Sequence, residues 1–98
     1  MARALEFHPE ARDEFFAAAA RYAAIRPSLG AAFQEHVEAA TDRAVRSPAT
    51  GARVGAELRR VFVRRFPYFV LYSADDAQIF VVAVAHFRQR PGYWRQRR

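Results

Sequence analysis

The stretch that decides the fold is LRRVFVRRFPYFVLYSADDAQIFVVAVAHF, residues 58–87. It contains three runs rich in β-branched and aromatic residues, at 58–65, 68–74 and 78–87. Such residues favour β-strands, whereas the intervening Phe66-Pro67 and Asp75-Asp76 contain residue types that favour turns. Connections this short join antiparallel neighbours, because a parallel pair needs a crossover of about a dozen residues. The stretch therefore predicts a three-stranded antiparallel meander.

Two helical patterns lie upstream of the meander. Apolar residues recur at spacings of three and four from about 9 to 24, and again up to residue 47. Pro9 opens the first helix, since proline is favoured at the first helical position. The break at 26–28 is short enough to leave room only for an antiparallel turn between the helices. The side of the first helix that is predicted to face solvent carries Arg12, Asp13, Glu14 and Arg21.

These elements together predict the fold class. A short strand at 3–7 precedes the first helix, and a polar connection at 49–57 joins the second helix to the meander. Neither helix has enough apolar surface to be stable alone, so the hairpin must cover a sheet. We therefore expect an α+β fold with an N-terminal short strand and an antiparallel helix hairpin packed on a three- to four-stranded antiparallel sheet. Ninety-eight residues enclose one core, which predicts a single domain over residues 1–98.

Composition restricts the kinds of site the chain can hold. It has no cysteine, which excludes disulfides and thiolate metal sites, and its three histidines are scattered without metal-ligand spacing. We therefore expect no metal and no cofactor. The alanine run Ala17–Ala20 is far too short to span a bilayer, and no basic start precedes an apolar stretch. The sequence is interpreted as a soluble, cytoplasmic protein with no membrane partner.

The positive charge is concentrated in the second half of the chain. Residues 1–57 hold seven arginines against eight acidic residues, whereas residues 58–98 hold nine arginines against two. Such asymmetry is typical of a protein with a polyanionic partner, either nucleic acid or an acidic protein segment. All sixteen basic residues are arginine, which indicates a compositional bias of the genome but does not explain the clustering.

The order of strand, helix hairpin, meander and basic tail resembles the RelE/ParE superfamily of toxins from bacterial type II toxin-antitoxin modules. Four segments carry the resemblance: HPEAR at 8–12, SPATG at 47–51, LRRVFVRRFPYFVLYSADD at 58–76 and IFVVAVAHFRQRPGYW at 79–94. His8 departs from the family pattern, which usually has a capping Ser or Thr there. The absence of lysine also departs from the ribonuclease branch, whose active sites often contain it. The long helix hairpin resembles the ParE-like branch more closely.

The resemblance implies a growth inhibitor that a cognate antitoxin protein neutralises. Two effector mechanisms follow from it: ParE-like poisoning of DNA gyrase, or RelE-like cleavage of messenger RNA on the ribosome. A small nucleic-acid-binding module without toxicity is a third hypothesis. The partners implied are the antitoxin and either gyrase or the ribosome with its message. A homodimer and a heterotetramer with the antitoxin are the assemblies left open.

Metal-independent RNA cleavage needs a base, an acid and fixed positive charge around the phosphate. His86 is the natural proton shuttle, because only histidine has an unperturbed pKa near working pH. Arg64 and Arg88 would clamp the phosphate, and Tyr93 would stack on a base or donate a proton. The alternative is that His86 is a strand-end residue hydrogen-bonded to the backbone.

The remaining candidate residues are arginines and one ring that could contact a partner. Arg59 and Arg60, with Arg64 and Arg65, are predicted to lie in one strand, two on each face. They form either a basic surface for phosphates or antitoxin carboxylates, or an edge strand protected against aggregation.

The tail, HFRQRPGYWRQRR at 86–98, contains a Pro-Gly turn followed by two large rings. We therefore interpret it as a docked basic arm, not a disordered end. Its residues predicted to contact an anionic partner are Arg90, Trp94 and Arg95. The antitoxin is the expected partner, through a helix or strand added to an exposed groove or edge.

Overall fold

The computed structural model describes residues 3–97 and confirms the helix hairpin on a largely antiparallel sheet. In chain order the elements are β1 Ala4–Phe7, α1 Pro9–Ile25, α2 Pro27–Arg46, a 3-10 turn Pro48–Thr50, β2 Ala52–Val54, β3 Leu58–Val63, β4 Tyr68–Ala74 and β5 Gln78–His86. No helix within residues 3–97 is both long and apolar enough to cross a membrane.

The two helices start and meet as their sequences dictate. Pro9 opens α1, and the His8 side chain accepts the Glu10 backbone N–H at 3.0 Å. The imidazole thus performs the capping that the family usually assigns to a hydroxyl. Gly30 lies where α2 contacts α1, and a Cβ there would stand 2.6 Å from the Cβ of Ala23. The close approach of the helices therefore requires glycine at this position.

The core lies between the hairpin and one face of the sheet. Phe33 is fully buried at its centre and packs against the rings of Tyr22, Phe66 and Tyr68 at centroid distances between 5.0 and 5.2 Å. From the sheet, alternate residues of β3 face this cluster, including Val61 and Val63. The apolar stripes that predicted the helices are thus the surfaces that cover the sheet.

The sheet has five strands in the order β1-β5-β4-β3-β2, whereas the sequence predicts three to four. The additional strand is β2, which pairs with β3 from within the segment interpreted as a polar connection. Its three residues are too few to show a recognisable alternation. The N-terminal strand β1 pairs with β5 in parallel, and the chain between them, which contains both helices and strands β2 to β4, is long enough for the crossover that a parallel pair needs.

The prediction that four arginines share one strand is wrong. Strand β3 ends at Val63, so Arg64 and Arg65 lie in the turn that leads to β4. Arg65 has a φ of 72°, a left-handed conformation that breaks the strand. Only Arg59 and Arg60 lie in β3, and they project to opposite faces.

A β-bulge in β5 determines which of its residues face the helices. Leu71 pairs with Ala83 and Tyr72 with Val81, so Val82 is an extra residue in β5. The alternation therefore changes at this point: Val81 packs in the helix-side core, and Ala83 packs on the open face. Bulges of this kind bend a strand and re-aim its side chains.

The buried hydroxyl of Tyr72 anchors the connection between α2 and β2. It donates to the carbonyl of Pro48 at 2.7 Å and accepts the Gly51 N–H at 3.2 Å. Burial raises the pKa of Tyr72 above its ordinary value. We expect Tyr72→Phe to lower the free energy of unfolding by about 2 kcal/mol, because it leaves both backbone groups without a partner.

Urea unfolding followed by circular dichroism measures the effect of Tyr72→Phe. The matched control is Tyr22→Phe, since the Tyr22 hydroxyl has no hydrogen bond within residues 3–97. We expect this control to change stability by less than about 0.5 kcal/mol. Equal losses in the two variants would show that the Tyr72 hydroxyl does not hold the connection.

Candidate functional site

The C-terminal arm, residues 87–97, is docked on the open face of the sheet. Trp94 is 9% exposed and packs edge-on against Phe69 at a centroid distance of 6.1 Å. Its apolar neighbours on that face include Leu71 and Val82. Gly92 has a φ of 84°, which allows the arm to turn back toward the body. The prediction of a docked basic arm is confirmed.

The carboxylate of Glu14, on α1, holds the arm in place. Arg97 donates to both of its oxygens, at 3.0 Å to Oε1 and 2.9 Å to Oε2. The hydroxyl of Tyr93 donates to Oε2 at 2.7 Å, and the backbone N–H of Val84 donates to Oε1 at 3.0 Å. The side chains of Glu14 and Arg97 are 19% and 9% exposed. This cluster joins the first helix, the last strand and the arm.

The same cluster closes an open edge of the sheet. Strand β1 ends at Phe7, which pairs with Val81, so among the described residues no strand lies beside the following part of β5 on that side. Glu14 takes the N–H of Val84, and Arg97 donates to the carbonyl of Val82 at 3.0 Å. Two side chains therefore make the hydrogen bonds that a further strand would make. Unpaired edges otherwise favour association with other chains.

The Tyr93 hydroxyl is held in its neutral form. Burial, with the hydrogen bond to Glu14 and its negative charge, raises the pKa of Tyr93 far above its ordinary value of 10.0. The unfolded chain loses this proton near pH 10, whereas the folded chain keeps it. The stabilisation is therefore complete below about pH 10 and is lost as the pH rises toward the folded pKa.

We expect Tyr93→Phe to reduce the loss of stability at alkaline pH. Each tyrosine that stays neutral in the fold contributes a decline of about 1.4 kcal/mol per pH unit above its unfolded pKa. The wild-type chain should thus lose stability more steeply than Tyr93→Phe above about pH 10. Urea midpoints measured across that range test this. Parallel declines would mean that Tyr93 ionises normally in the folded chain.

Two of the four predicted catalytic residues, His86 and Arg88, are joined at the end of β5. The Nδ1 atom of His86 accepts the backbone N–H of Arg88 at 3.0 Å, and the His86 N–H donates to Oε1 of Gln89 at 2.8 Å. The His86 ring stands edge-on to Tyr68 at a centroid distance of 5.0 Å. The backbone-bonded arrangement considered as the alternative for His86 is therefore present.

The other two are Arg64, which is exposed in the turn after β3, and Tyr93, whose hydroxyl is hydrogen-bonded to Glu14. Arg64 lies beside Arg43 near the end of α2, and burial, followed by the charges of Arg64 and Arg46, lowers the pKa of Arg43. The Tyr93 hydroxyl donates a hydrogen bond to Glu14. Within residues 3–97, no hydrogen bond or ion pair links Arg64 to the other three candidates.

Among the predicted partner-binding arginines, one is hydrogen-bonded within the fold and four are exposed to solvent. Arg59 donates to the carbonyl of Gly51 at 2.8 Å, so its guanidinium supports the β2 connection. Arg60 is exposed on the open face, with its guanidinium 5.3 Å from the Phe62 ring centroid and 5.6 Å from that of Phe69. The remaining exposed arginines of this set are Arg65, Arg90 and Arg95.

Arg60 belongs to an exposed patch of rings on the open face. Phe62 and Phe87 are 53% and 54% exposed, and their ring centroids lie 5.7 Å apart. Phe87 also stacks on Phe69 at 6.4 Å. We call Arg60, Phe62, Phe69 and Phe87 the aromatic patch. Trp94, one of the predicted contact residues, is instead buried against the sheet beside it.

Comparison with known proteins identifies the family of this fold. The family model described as ParE toxin of the type II toxin-antitoxin system, parDE, matches residues 5–91. The chain belongs to the ParE toxin family. It is 30% identical over 92 residues to Toxin ParE2 of Mycobacterium tuberculosis, covering 93% of this chain and 88% of that protein.

Two solved structures share the fold of this ParE-family chain. The chromosomal ParDE toxin-antitoxin system from P. aeruginosa matches with a TM-score of 0.72 at 12% identity, covering 86% of this chain and 95% of that one. A mutant of the E. coli toxin RelE in the free state matches with a TM-score of 0.64 at 22% identity, covering 90% and 86%. The chain is thus a type II toxin of the RelE/ParE superfamily, and its family implies a cognate antitoxin.

Sequence reasoning missed the residues that hold the arm in this ParE-family chain. The sequence pattern predicts that Glu14 lies on the solvent-exposed side of α1. It lies, however, three residues after Ala11 and four before Ala18, and both of these alanines are fully buried. Its position beside the apolar stripe is the signal that could have identified it. Its partner Arg97 is 83 residues away in sequence, so no local pattern joins the two.

Proposed function

We propose that this toxin inhibits growth by binding and poisoning DNA gyrase, and that its cognate antitoxin neutralises it in the cytoplasm. The observation that carries the proposal is that Arg64 lies in a different depression from His86 and Arg88, and that His86 Nδ1 and the Tyr93 hydroxyl are already engaged in hydrogen bonds, while an exposed aromatic patch is available for binding. The match to the ParE family model supports the same mechanism. A gyrase poison needs a binding surface, whereas a ribonuclease needs an assembled site.

RNA cleavage requires the proton-transfer groups and the positive charge to converge on one phosphate. His86 Nδ1 already accepts a backbone N–H, and the Tyr93 hydroxyl already donates a hydrogen bond to Glu14. Arg64 lines a different depression, beside Arg43. This arrangement favours an inhibitor that acts by binding over one that cuts message.

We assign the gyrase contact to the aromatic patch. Binding energy at protein interfaces concentrates in aromatic residues and arginines, and patches of exposed rings are uncommon on monomeric surfaces. Phe62 and Phe87 are each more than half exposed, and the exposed guanidinium of Arg60 lies over the Phe62 ring at 5.3 Å from its centroid. The patch combines apolar anchors with a cation, which suits a protein surface that carries acidic side chains.

Two assays on the purified chain test the proposal. The first measures supercoiling of relaxed plasmid by gyrase, and the second measures cleavage of message bound to ribosomes. We expect inhibited supercoiling with intact message, and reversal of the inhibition by the product of the adjacent gene. Message cleavage that is lost on His86→Ala, with gyrase unaffected, would establish the ribonuclease mechanism instead. A chain that affects neither target and does not arrest growth would be a nucleic-acid-binding module.

We expect Arg60→Glu to weaken gyrase inhibition by at least about tenfold, since it removes a cation and places a carboxylate on the patch. The matched control is Arg12→Glu, an exposed residue of α1 with the same charge change. Inhibition curves for the two variants are compared by supercoiling assay. Equal weakening in both would mean that net charge, not the patch, determines inhibition.

A further inference from the structure

A second candidate site, lined by polar side chains, lies on the helix side of the sheet, apart from the aromatic patch. It is a cleft of about 410 Å³ between α1 and the adjoining ends of β4 and β5. Sites that hold small molecules span roughly 300–1,000 Å³. The polar side chains that line the cleft are Glu14, Arg21, Tyr68, His86 and Gln89. Neither the binding surface nor the arm accounts for this combination.

Hydrogen bonds within the fold leave this cleft rich in donors. Arg21 Nη2 donates to the Tyr68 hydroxyl oxygen at 3.1 Å, so the hydroxyl hydrogen points elsewhere. Nδ1 of His86 accepts a backbone N–H, so the ring proton resides on Nε2. Oε1 of Gln89 accepts the His86 N–H, which leaves its amide hydrogens. Within residues 3–97, these remaining hydrogens donate to no group.

The one carboxylate in the cleft has no free capacity to oppose an anion. Both oxygens of Glu14 receive two hydrogen bonds each, from Arg97, Tyr93 and the Val84 N–H. The bidentate pairing with Arg97 also cancels its charge. Arg21 is therefore the uncompensated charge among the residues that line the cleft.

We propose that this cleft binds the phosphate group of a small molecule. A guanidinium, a phenol, an imidazole N–H and an amide are hydrogen-bond donors, and phosphate offers several acceptor oxygens to such a set. Arg21 and Tyr68 are in direct contact, and the Tyr68 and His86 rings lie 5.0 Å apart, so these three groups can reach one anion. The site is independent of gyrase binding, which is assigned to the opposite face of the sheet.

An NMR titration of the full chain tests the proposal with inorganic phosphate, AMP and a short DNA duplex as probes and chloride as the control anion, all at constant ionic strength. We expect phosphate and AMP to shift the His86 and Tyr68 ring signals saturably. Arg21→Gln and Tyr68→Phe should each weaken binding about tenfold, since each removes a hydrogen bond to a charged group. Arg21 is exposed, so its replacement leaves the fold intact even if Tyr68→Phe does not fold.

The matched control is Arg12→Gln, which removes an exposed α1 arginine outside the cleft and should leave binding unchanged within about twofold. Three results would overturn the proposal. Chloride could shift the ring signals as much as phosphate, Arg12→Gln could weaken binding as much as Arg21→Gln, or only the duplex could bind while both ring signals stay unmoved.

Discussion

Glu14→Ala should lower the free energy of unfolding by about 3 kcal/mol and release the C-terminal arm. The substitution leaves the guanidinium of Arg97, which is 9% exposed, without its anion, and the Val84 N–H and Tyr93 hydroxyl without an acceptor. Removing one partner of a buried pair is costly because the other charge stays desolvated. Urea unfolding gives the stability change.

The release of the arm has its own readout. Trp94 is the single tryptophan in the chain and is 9% exposed, so its fluorescence should shift to the red when the arm leaves the sheet. The matched control is Glu10→Ala on the same helix. Glu10 is 64% exposed and lies 3.9 Å from Arg97, so its loss should cost less than about 0.5 kcal/mol. A Glu14→Ala chain as stable as Glu10→Ala, with unshifted emission, would contradict the role given to this carboxylate.

Phe33→Ala should cost about 4 kcal/mol, a large share of the stability of a domain this size. Phe33 is 0% exposed and contacts rings from both the hairpin and the sheet, including Tyr22, Phe66 and Tyr68. Its truncation leaves a cavity that neighbouring rings can fill only in part. The variant should also lose growth inhibition, because the aromatic patch and the arm both depend on an intact sheet.

Phe16→Ala is the control for this cavity. Phe16 is on α1, beside the buried Phe15, but is itself 60% exposed. Its replacement should change the urea midpoint little, with a cost below about 1 kcal/mol. Comparable losses from Phe33→Ala and Phe16→Ala would mean that the hairpin does not cover the sheet through Phe33.

The order of helices and strands can be predicted from the sequence, but not every pairing between strands can. Helical spacing and β-rich runs identify α1, α2 and the meander, because each depends on local periodicity. Strand β2 is not predictable from the sequence because its three residues show no alternation of apolar and polar side chains. The sequence pattern extends β3 over Arg64 and Arg65 because these arginines carry no turn signal of their own. The left-handed φ of Arg65 could not be predicted from the residue type, because residues other than glycine rarely adopt a positive φ.

The candidate site was harder to predict than the fold, because its contacts are long-range. The docking of the arm follows from two large rings after a Pro-Gly turn, which is a local signal. Its attachment to Glu14 spans 79 residues to Tyr93 and 83 to Arg97, and nothing local couples them. The β5 bulge at Val82 places the backbone groups that Glu14 and Arg97 bind, and it follows from pairing with β4, not from the composition of β5.

The proposed mechanism can be tested most directly on gyrase acting on supercoiled plasmid, with the products denatured before electrophoresis. Poisoning stabilises the enzyme while its DNA is broken, so the account predicts that linear plasmid accumulates in proportion to the added chain. The product of the adjacent gene should prevent this accumulation. Plasmid that stays intact with the chain in excess over gyrase, while the same preparation cuts ribosome-bound message, would contradict the account.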